Sequence, residues 1–360
     1  HFAWVPSNQK RNMPDWLDTQ APLLPRFLKQ GGYATAHFGK WHLANNMIPD
    51  SPVPGEYGFD TYGAFNCAGE QMPVHEDSEH VVKFIQKSKA HGKPFFINMW
   101  LHEPHTPFHT VPKYRWRFRH LENEADNIYA SVLSHADDRV GEVLDELDRL
   151  EMTENTLVIF SSDNGPARSS RPAELGLMHD TATGAGYNVA AAKGITGGRK
   201  GYKSSLFEGG IGVPFIARWP GKIPSGRVDK KSILSAVDLL PTFCDVAGVE
   251  LPNDYQPDGI SQINALMGNG MTMREKPLFW KFNSPWPPQT SRPHHWISYA
   301  VVENQWKLVT NSDQSHVELY DLLSDPFEKK DLSQSSRSTV NHLTTTLNQW
   351  VSTLPAKPTG

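Results

Sequence analysis

The chain has 360 residues, enough for one large α/β domain or for a large domain with a small companion. Hydrophobic residues make up 38% and charged residues 21%, and the net charge of −4 with histidine neutral excludes the basic excess that a nucleic-acid binder needs. No apolar run approaches the roughly 18 residues of a membrane-spanning helix, so no membrane span is expected.

In chain order, "APLLPRFLKQGG" reads as a helix stopped by a glycine pair, and "YATAHF" (33–38) as a short buried strand. "SEHVVKFIQKSKAHG" runs from a serine N-cap to Gly92, and "PFFINMW" (94–100) is a second strand. Over 127–150, Tyr129, Val132, Ala136, Val140, Val143, Leu147 and Leu150 share one face at helical spacing. "TLVIFSS" (156–162) and "VPFIARW" (213–219) read as further buried strands. Between these two, Gly165 to Lys200 has little periodicity and is read as a long site-lining loop. Strands alternating with helices predict βαβ units and a mostly parallel sheet flanked by helices. Beyond residue 275, "PLFWKF", "HWISYAVVENQWKLVT" and "HVELYDLLSDP" predict a β-meander, and "STVNHLTTTLNQWVSTL" a closing amphipathic helix. The expected division is a catalytic domain over 1–275 and a small antiparallel α+β subdomain over 276–360. Cys67 and Cys244 are the only cysteines and are read as unpaired thiols.

In an open parallel sheet, ligands bind beyond the carboxyl ends of the strands. One strand ends at Asp163, Asn164 and Gly165; two hard oxygen donors before a glycine suit Ca²⁺ or Mg²⁺, or simply an Asx-turn. "YATAHFGKWHL" ends at Lys40, able to hold an anion, and His42, able to relay a proton, whereas His37 lies inside the strand as a core histidine. "NMWLHEPHTPFH" carries His102, His105 and His109 in a proline-broken loop. Zinc ligation, one histidine facing an anion, and plain surface histidines are all open there. "GYKSSLFEGGIGVPFIARWPG" places Lys203 ahead of Glu208, as a second anion clamp or a solvated lysine. Two lysines and two histidines beside a hard cation describe a site for hydrolysing a sulfate or phosphate ester.

In this order the motifs resemble the type I, formylglycine-dependent sulfatases of the alkaline phosphatase superfamily. "GYATAHFGKWHL" is similar to the second sulfatase signature, and "SSDNG", "GYKSSLFEGGIGVPFIARWPG", "DLLPTFCDVAG" and "ELYDLLSDPFEKKDL" to further family landmarks. The resemblance implies an alkaline-phosphatase-like fold and a sulfated carbohydrate as substrate. It implies an aldehyde hydrate, formed from a Cys or Ser, that attacks sulfur; the resulting sulfated hemiacetal then eliminates sulfate. It carries one Ca²⁺ to Asp163 and Asn164. Lys40 would bridge the hydrate and the metal region, and His42 would assist the elimination. His105 would protonate the leaving oxygen, Lys203 would hold a sulfate oxygen, and His179 and Asp180 would touch substrate. A formylglycine-generating or anaerobic maturation enzyme is an implied partner, and an extracytoplasmic location follows from the family's habit.

The sequence departs from the pattern in one respect: no Cys/Ser-x-Pro-x-Arg motif and no aspartate pair on a first strand are present. On the family's layout these would lie upstream of His1, which shows no signal peptide and reads as a processed or truncated end. Such a segment is expected to add a central strand, so that without it a sheet edge is exposed. Two rival readings stand beside the sulfatase. One is a phosphodiesterase or phosphonate monoester hydrolase of the same superfamily, although Asn164 stands where two-zinc members have histidine. The other is a non-catalytic fragment that binds sulfated glycans.

Overall fold

The computed structural model describes residues 14–44, 48, 50–167, 174–270, 274–282 and 293–355. Helix α1 (Leu24–Gln30) carries Pro25 in its first turn, where a missing N–H costs nothing, and gives way at Gly31. Strand β1 (Ala34–Gly39) is the middle strand of a parallel sheet, between β2 (Thr61–Ala64) and β3 (Phe95–Trp100). The register sets Gly39 opposite both Ala64 and Trp100, so the polar residues after β1 and β3 emerge at one edge. Strand β2, of sequence TYGA, has no apolar run to signal it.

Helices α2 (Asp77–Ala90) and α4 (Glu124–Arg149) cover one face: Val81, Phe84, Ile85 and Leu147 form a cluster with Ala36 and Phe38. The buried stripe of α4 differs from the expected one. It includes Ile128, Ser131, Arg139 and Glu146, while Tyr129, Val140, Val143 and Leu150 are only half-buried. Arg139 and Glu146 enter the stripe because each finds side-chain partners on neighbouring elements, which periodicity of apolar residues cannot register. Trp41, Tyr57, Phe59 and Cys67 form a second core cluster. Cys67 and Cys244 are both buried and unpaired. A short helix, α3 (Pro112–Arg117), precedes α4.

Strand β4 (Val158–Ser161) pairs antiparallel with β7 (Phe215–Arg218), so among the described residues only the β1–β3 unit is parallel. The supposed loop between them contains a hairpin, β5 (Leu177–Asp180) with β6 (Gly184–Tyr187). Its strands hold glycines and exposed residues, so they lack the apolar alternation that marks a strand. Helix α5 (Glu208–Ile211) leads into β7; α6 (Leu239–Ala247) and α7 (Ile263–Met267) follow.

The last part is a four-stranded antiparallel sheet of β8 (Leu278–Lys281), β9 (Tyr299–Glu303), β10 (Trp306–Thr310) and β11 (Val317–Asp321), in the order β11-β10-β9-β8. Helix α8 (Arg337–Thr353) seals one face, with Leu343 and Leu347 on Val301, Leu308 and Leu319. The other face, through Ala300, Val309 and Tyr320, clusters with Leu206 and Phe207 and thereby fastens the sheet to the chain around Lys203. Among the described residues no helix is long and apolar enough to cross a membrane.

Candidate active site

Lys40 and His42 are set by the backbone just past β1. Gly39 has φ +106°, and a Cβ there would lie 2.1 Å from the Trp100 carbonyl oxygen; only glycine lets the strands stay this close. The Lys40 amide then donates to that carbonyl at 2.7 Å. Asn66, which the sequence reading did not single out, accepts from the Trp41 amide at 2.6 Å and donates to the Trp41 carbonyl, holding the residue between Lys40 and His42. His37 is fully buried among Trp41, Phe59 and Trp100, and donates to the Lys40 carbonyl at 3.0 Å. Burial depresses its pKa to about 3, so it is a neutral core residue, as its place inside the strand predicted.

The turn after β4 brings Asp163 and Asn164 to the same neighbourhood. The Gly165 amide donates to the Gly210 carbonyl at 2.8 Å, and a Cβ on Gly165 would meet the Gly209 carbonyl at 1.9 Å. The turn is therefore pressed against the glycine pair of α5. Lys203 is tied in by its own amide, which donates to the Pro166 carbonyl at 3.0 Å. Behind it, the buried Lys307 bridges Glu208 at 2.7 Å and Glu328 at 2.9 Å, and the Glu208 amide donates to Glu328 at 2.6 Å. The two carboxylates hold the Lys307 ammonium above its usual range against the opposing effect of burial.

The charges of these side chains act on one another. Burial lowers the Lys40 pKa, Lys203 lowers it further, and Asp163 and Asp180 oppose both. Lys203 is lowered by burial and opposed by Asp163. His42 is depressed to about 4 by burial and then by Lys40, with His105 and Lys203 acting the same way. His105 is also depressed to about 4, by burial, Lys40 and Lys203, with the Thr106 carbonyl opposing. Its Nδ1 donates to that carbonyl at 2.6 Å, which leaves Nε2 with its lone pair. The site thus groups two ammonium groups and two imidazoles that burial keeps neutral at neutral pH, an arrangement suited to an anion.

The histidine loop is clamped in place. His102 is buried and donates to the Pro107 carbonyl at 3.0 Å. His109 donates to the Ala185 carbonyl at 3.1 Å, and Phe108 and Tyr187 exchange backbone hydrogen bonds, so the β5–β6 hairpin locks onto this loop. Asp180 closes the hairpin turn by accepting from the Ala182 and Thr183 amides. His179 is exposed, and alternation along β5 turns it to the face opposite Asp180, so the two neighbours do not share one surface.

A hard cation finds oxygen donors of the right kind at Asp163 and Asn164. Among the described residues Asp163 has no hydrogen-bond or ion-pair partner, and Asn164 donates its amide to Gly165 O, which leaves Oδ1 as an acceptor. These supply part of the about six to eight oxygens that calcium takes.

A family model described as Sulfatase matches residues 6–249, and one described as N-sulphoglucosamine sulphohydrolase, C-terminal, matches residues 199–356. The chain is 27% identical to an N-acetylgalactosamine-6-sulfatase of Canis lupus familiaris, over 93% of this chain and 68% of that protein. It is 28% identical to an N-acetylgalactosamine-6-O-sulfatase of Bacteroides thetaiotaomicron, over 70% of this chain and 46% of that protein. The fold is similar to that of Ps i-CgsB, solved in complex with k-i-k-neocarrahexaose, with a TM-score of 0.74 at 23% identity over 93% of this chain and 75% of that one. With its sulfatase model covering most of the sequence and its active-site motifs in family order, the chain belongs to the sulfatase family, whose members hydrolyse sulfate esters.

Proposed function

We propose that the protein hydrolyses a sulfate ester on a sulfated carbohydrate and releases inorganic sulfate. The observation that carries this reading is the convergence of Lys40 and Lys203 with His42 and His105 at the strand ends. The N-acetylgalactosamine-6-sulfatases among the relatives support a sulfated hexosamine as the substrate class.

The ammonium groups of Lys40 and Lys203 draw in the sulfate and stabilise charge building on its oxygens. His105, kept neutral by burial and by Lys40 and Lys203, regains proton affinity beside a bound anion; protonated at Nε2, it delivers that proton to the leaving oxygen. His42 serves as the second proton carrier, beside Lys40. Asp180, whose charge acts on Lys40, is a contact for sugar hydroxyls, with His179 on the outer face of the hairpin. Asp163 and Asn164 would hold calcium, completed by further oxygen ligands. Bound there, calcium would add positive charge against the sulfate oxygens. A formylglycine-forming Cys/Ser-x-Pro-x-Arg motif does not occur in these 360 residues, so the side chains described account for anion binding and proton transfer rather than attack on sulfur.

The test measures sulfate release from N-acetylgalactosamine 6-sulfate, an aryl sulfate and an aryl phosphodiester, with binding of the sulfated sugar followed in parallel. Lys203→Ala is expected to lower kcat/KM on the cognate sulfate by about 100- to 1,000-fold, the scale of a lost oxyanion donor. A strong preference for the phosphodiester, or an unchanged Lys203→Ala variant, would overturn the reading. Sulfated-sugar binding with no release would assign this polypeptide the glycan-binding role instead.

A further inference from the structure

Away from the two lysines, three side chains from distant parts of the chain converge, with ligand atoms left over. His75 precedes α2, Glu103 follows β3 and His135 lies within α4. One ligand atom from each lies within 4.8 Å of the others. The His75 Nε2 and Glu103 Oε1 atoms form an ion pair at 2.6 Å. Among the described residues these two atoms have no partner beyond each other, and Nδ1 of His135 is buried with no hydrogen-bond partner at all. The Glu103 side chain is 1% exposed, so a further ligand for its Oε1 would offset the cost of burying that oxygen.

The surroundings aim these atoms. The other Glu103 oxygen is held by Arg139, which also grips both oxygens of Asp77 at 2.9 and 2.8 Å. His135 stacks on Tyr114 at 4.7 Å, and the Tyr114 hydroxyl donates to Asp138. His75 sits at φ +82°, a left-handed conformation that a histidine adopts at a cost, and its ring stands edge-on to His135 at 4.4 Å. His109, 6.0 Å from His75 between ring centres, also has a buried and idle Nε2. A guanidinium on the far oxygen of Glu103, and a carbonyl on the far nitrogen of His109, are orienting partners of the kind that metal-binding carboxylates and histidines use.

We propose that His75, Glu103 and His135 form a second metal site, for a divalent ion of the zinc class, separate from the oxygen donors at Asp163 and Asn164. Two imidazoles and one carboxylate are zinc-type donors, and three protein ligands leave a fourth position for water or for His109. Tetrahedral bonds of about 2.0–2.1 Å set ligand atoms roughly 3.3 Å apart, between the closest and widest separations found here. By fixing Glu103, the ion would anchor the loop that carries His105.

The full chain is equilibrated with zinc, freed of excess metal and analysed by plasma mass spectrometry, and its cobalt(II) form is examined by visible absorption. The expectation is one retained zinc per chain and an intense tetrahedral cobalt spectrum. His75→Ala and His135→Ala should each weaken zinc binding by about 100-fold or more, beyond the loss typical of supporting residues, while Asp163→Ala binds zinc as the parent does. No stoichiometric zinc in the parent, or binding as tight as the parent's in both histidine variants, would mean a metal-free ion network and overturn the proposal. Should the variants fail to fold, the parent's cobalt spectrum decides: a weak octahedral spectrum alone overturns it. None of these readouts depends on sulfate release.

Discussion

The C-terminal sheet and the β4–β7 pair are built from equally apolar strands, yet they end in opposite surroundings. Val301, Leu308 and Leu319 are fully buried between β-strands and α8. Phe160 and Ile216, register partners across β4 and β7, are 48% and 57% exposed. The C-terminal sheet supplies its own cover, from α8 on one face and from Leu206 and Phe207 on the other. Strands β4 and β7 have only each other among the described residues, and β3 likewise pairs only with β1, with Trp100 38% exposed. An apolar run therefore announces a strand, while its burial depends on what is laid over it. The same contrast holds within the site. Lys203 shortly precedes Glu208, which is held in an ion network with buried Lys307 and Glu328, whereas Asp163 stands on the open pair and is itself exposed.

The contrast can be broken most sharply at Lys307. Lys307→Ala leaves buried Glu328 and half-buried Glu208 without their cation and should destabilise the chain by about 3–5 kcal/mol, read from its urea midpoint. A loss below about 1 kcal/mol would show that the network does not hold the C-terminal sheet to the site. Next comes Leu308→Ala, with an expected loss of about 2–5 kcal/mol from a cavity in the covered sheet.

Acid distinguishes the two regions in another way. Strand β1 contains buried His37, and β8–β11 contain no histidine. The folded-state pKa of His37, about 3, lies below the ordinary 6.5, so between these values the unfolded chain binds more protons and stability rises with pH. Going from pH 7 to 5 should cost about 2 kcal/mol from this group alone. Hydrogen exchange should accordingly report loosening of β1 before β10; the reverse order would remove His37 as the cause. The smallest effect is expected at Phe160→Ser, within about 0.5 kcal/mol by thermal melting, because little apolar area is buried there. A larger loss would reveal cover over β4 and erase the comparison.

Much of the fold was legible because its signals are local. The apolar runs at 33–38, 94–100, 156–162 and 213–219 all contain strands, and the glycine-stopped run ending at Gly31 is a helix. The hairpin β5–β6 and the short β2 escaped, since glycine-rich strands that hold loops in place carry no period of their own. At the site, Lys40, His42 and Asp163 follow strands and could be placed from that fact. Asn66 gave no sign, because its amide clasps the Trp41 backbone from across the parallel ladder.

The sequence by itself determined the type of most elements, the chemistry available at the strand ends and, through the GKWH and EGG runs, the kinship with sulfatases, since propensity, turn residues and motifs act over a few neighbouring positions. Only the tertiary structure decided that Lys307 would be buried between two glutamates, that Arg139 would enter the stripe of α4, and that His75, Glu103 and His135 would meet. Those meetings depend on the register of the strands and the rotation of α4 against α2, quantities settled by packing many side chains at once.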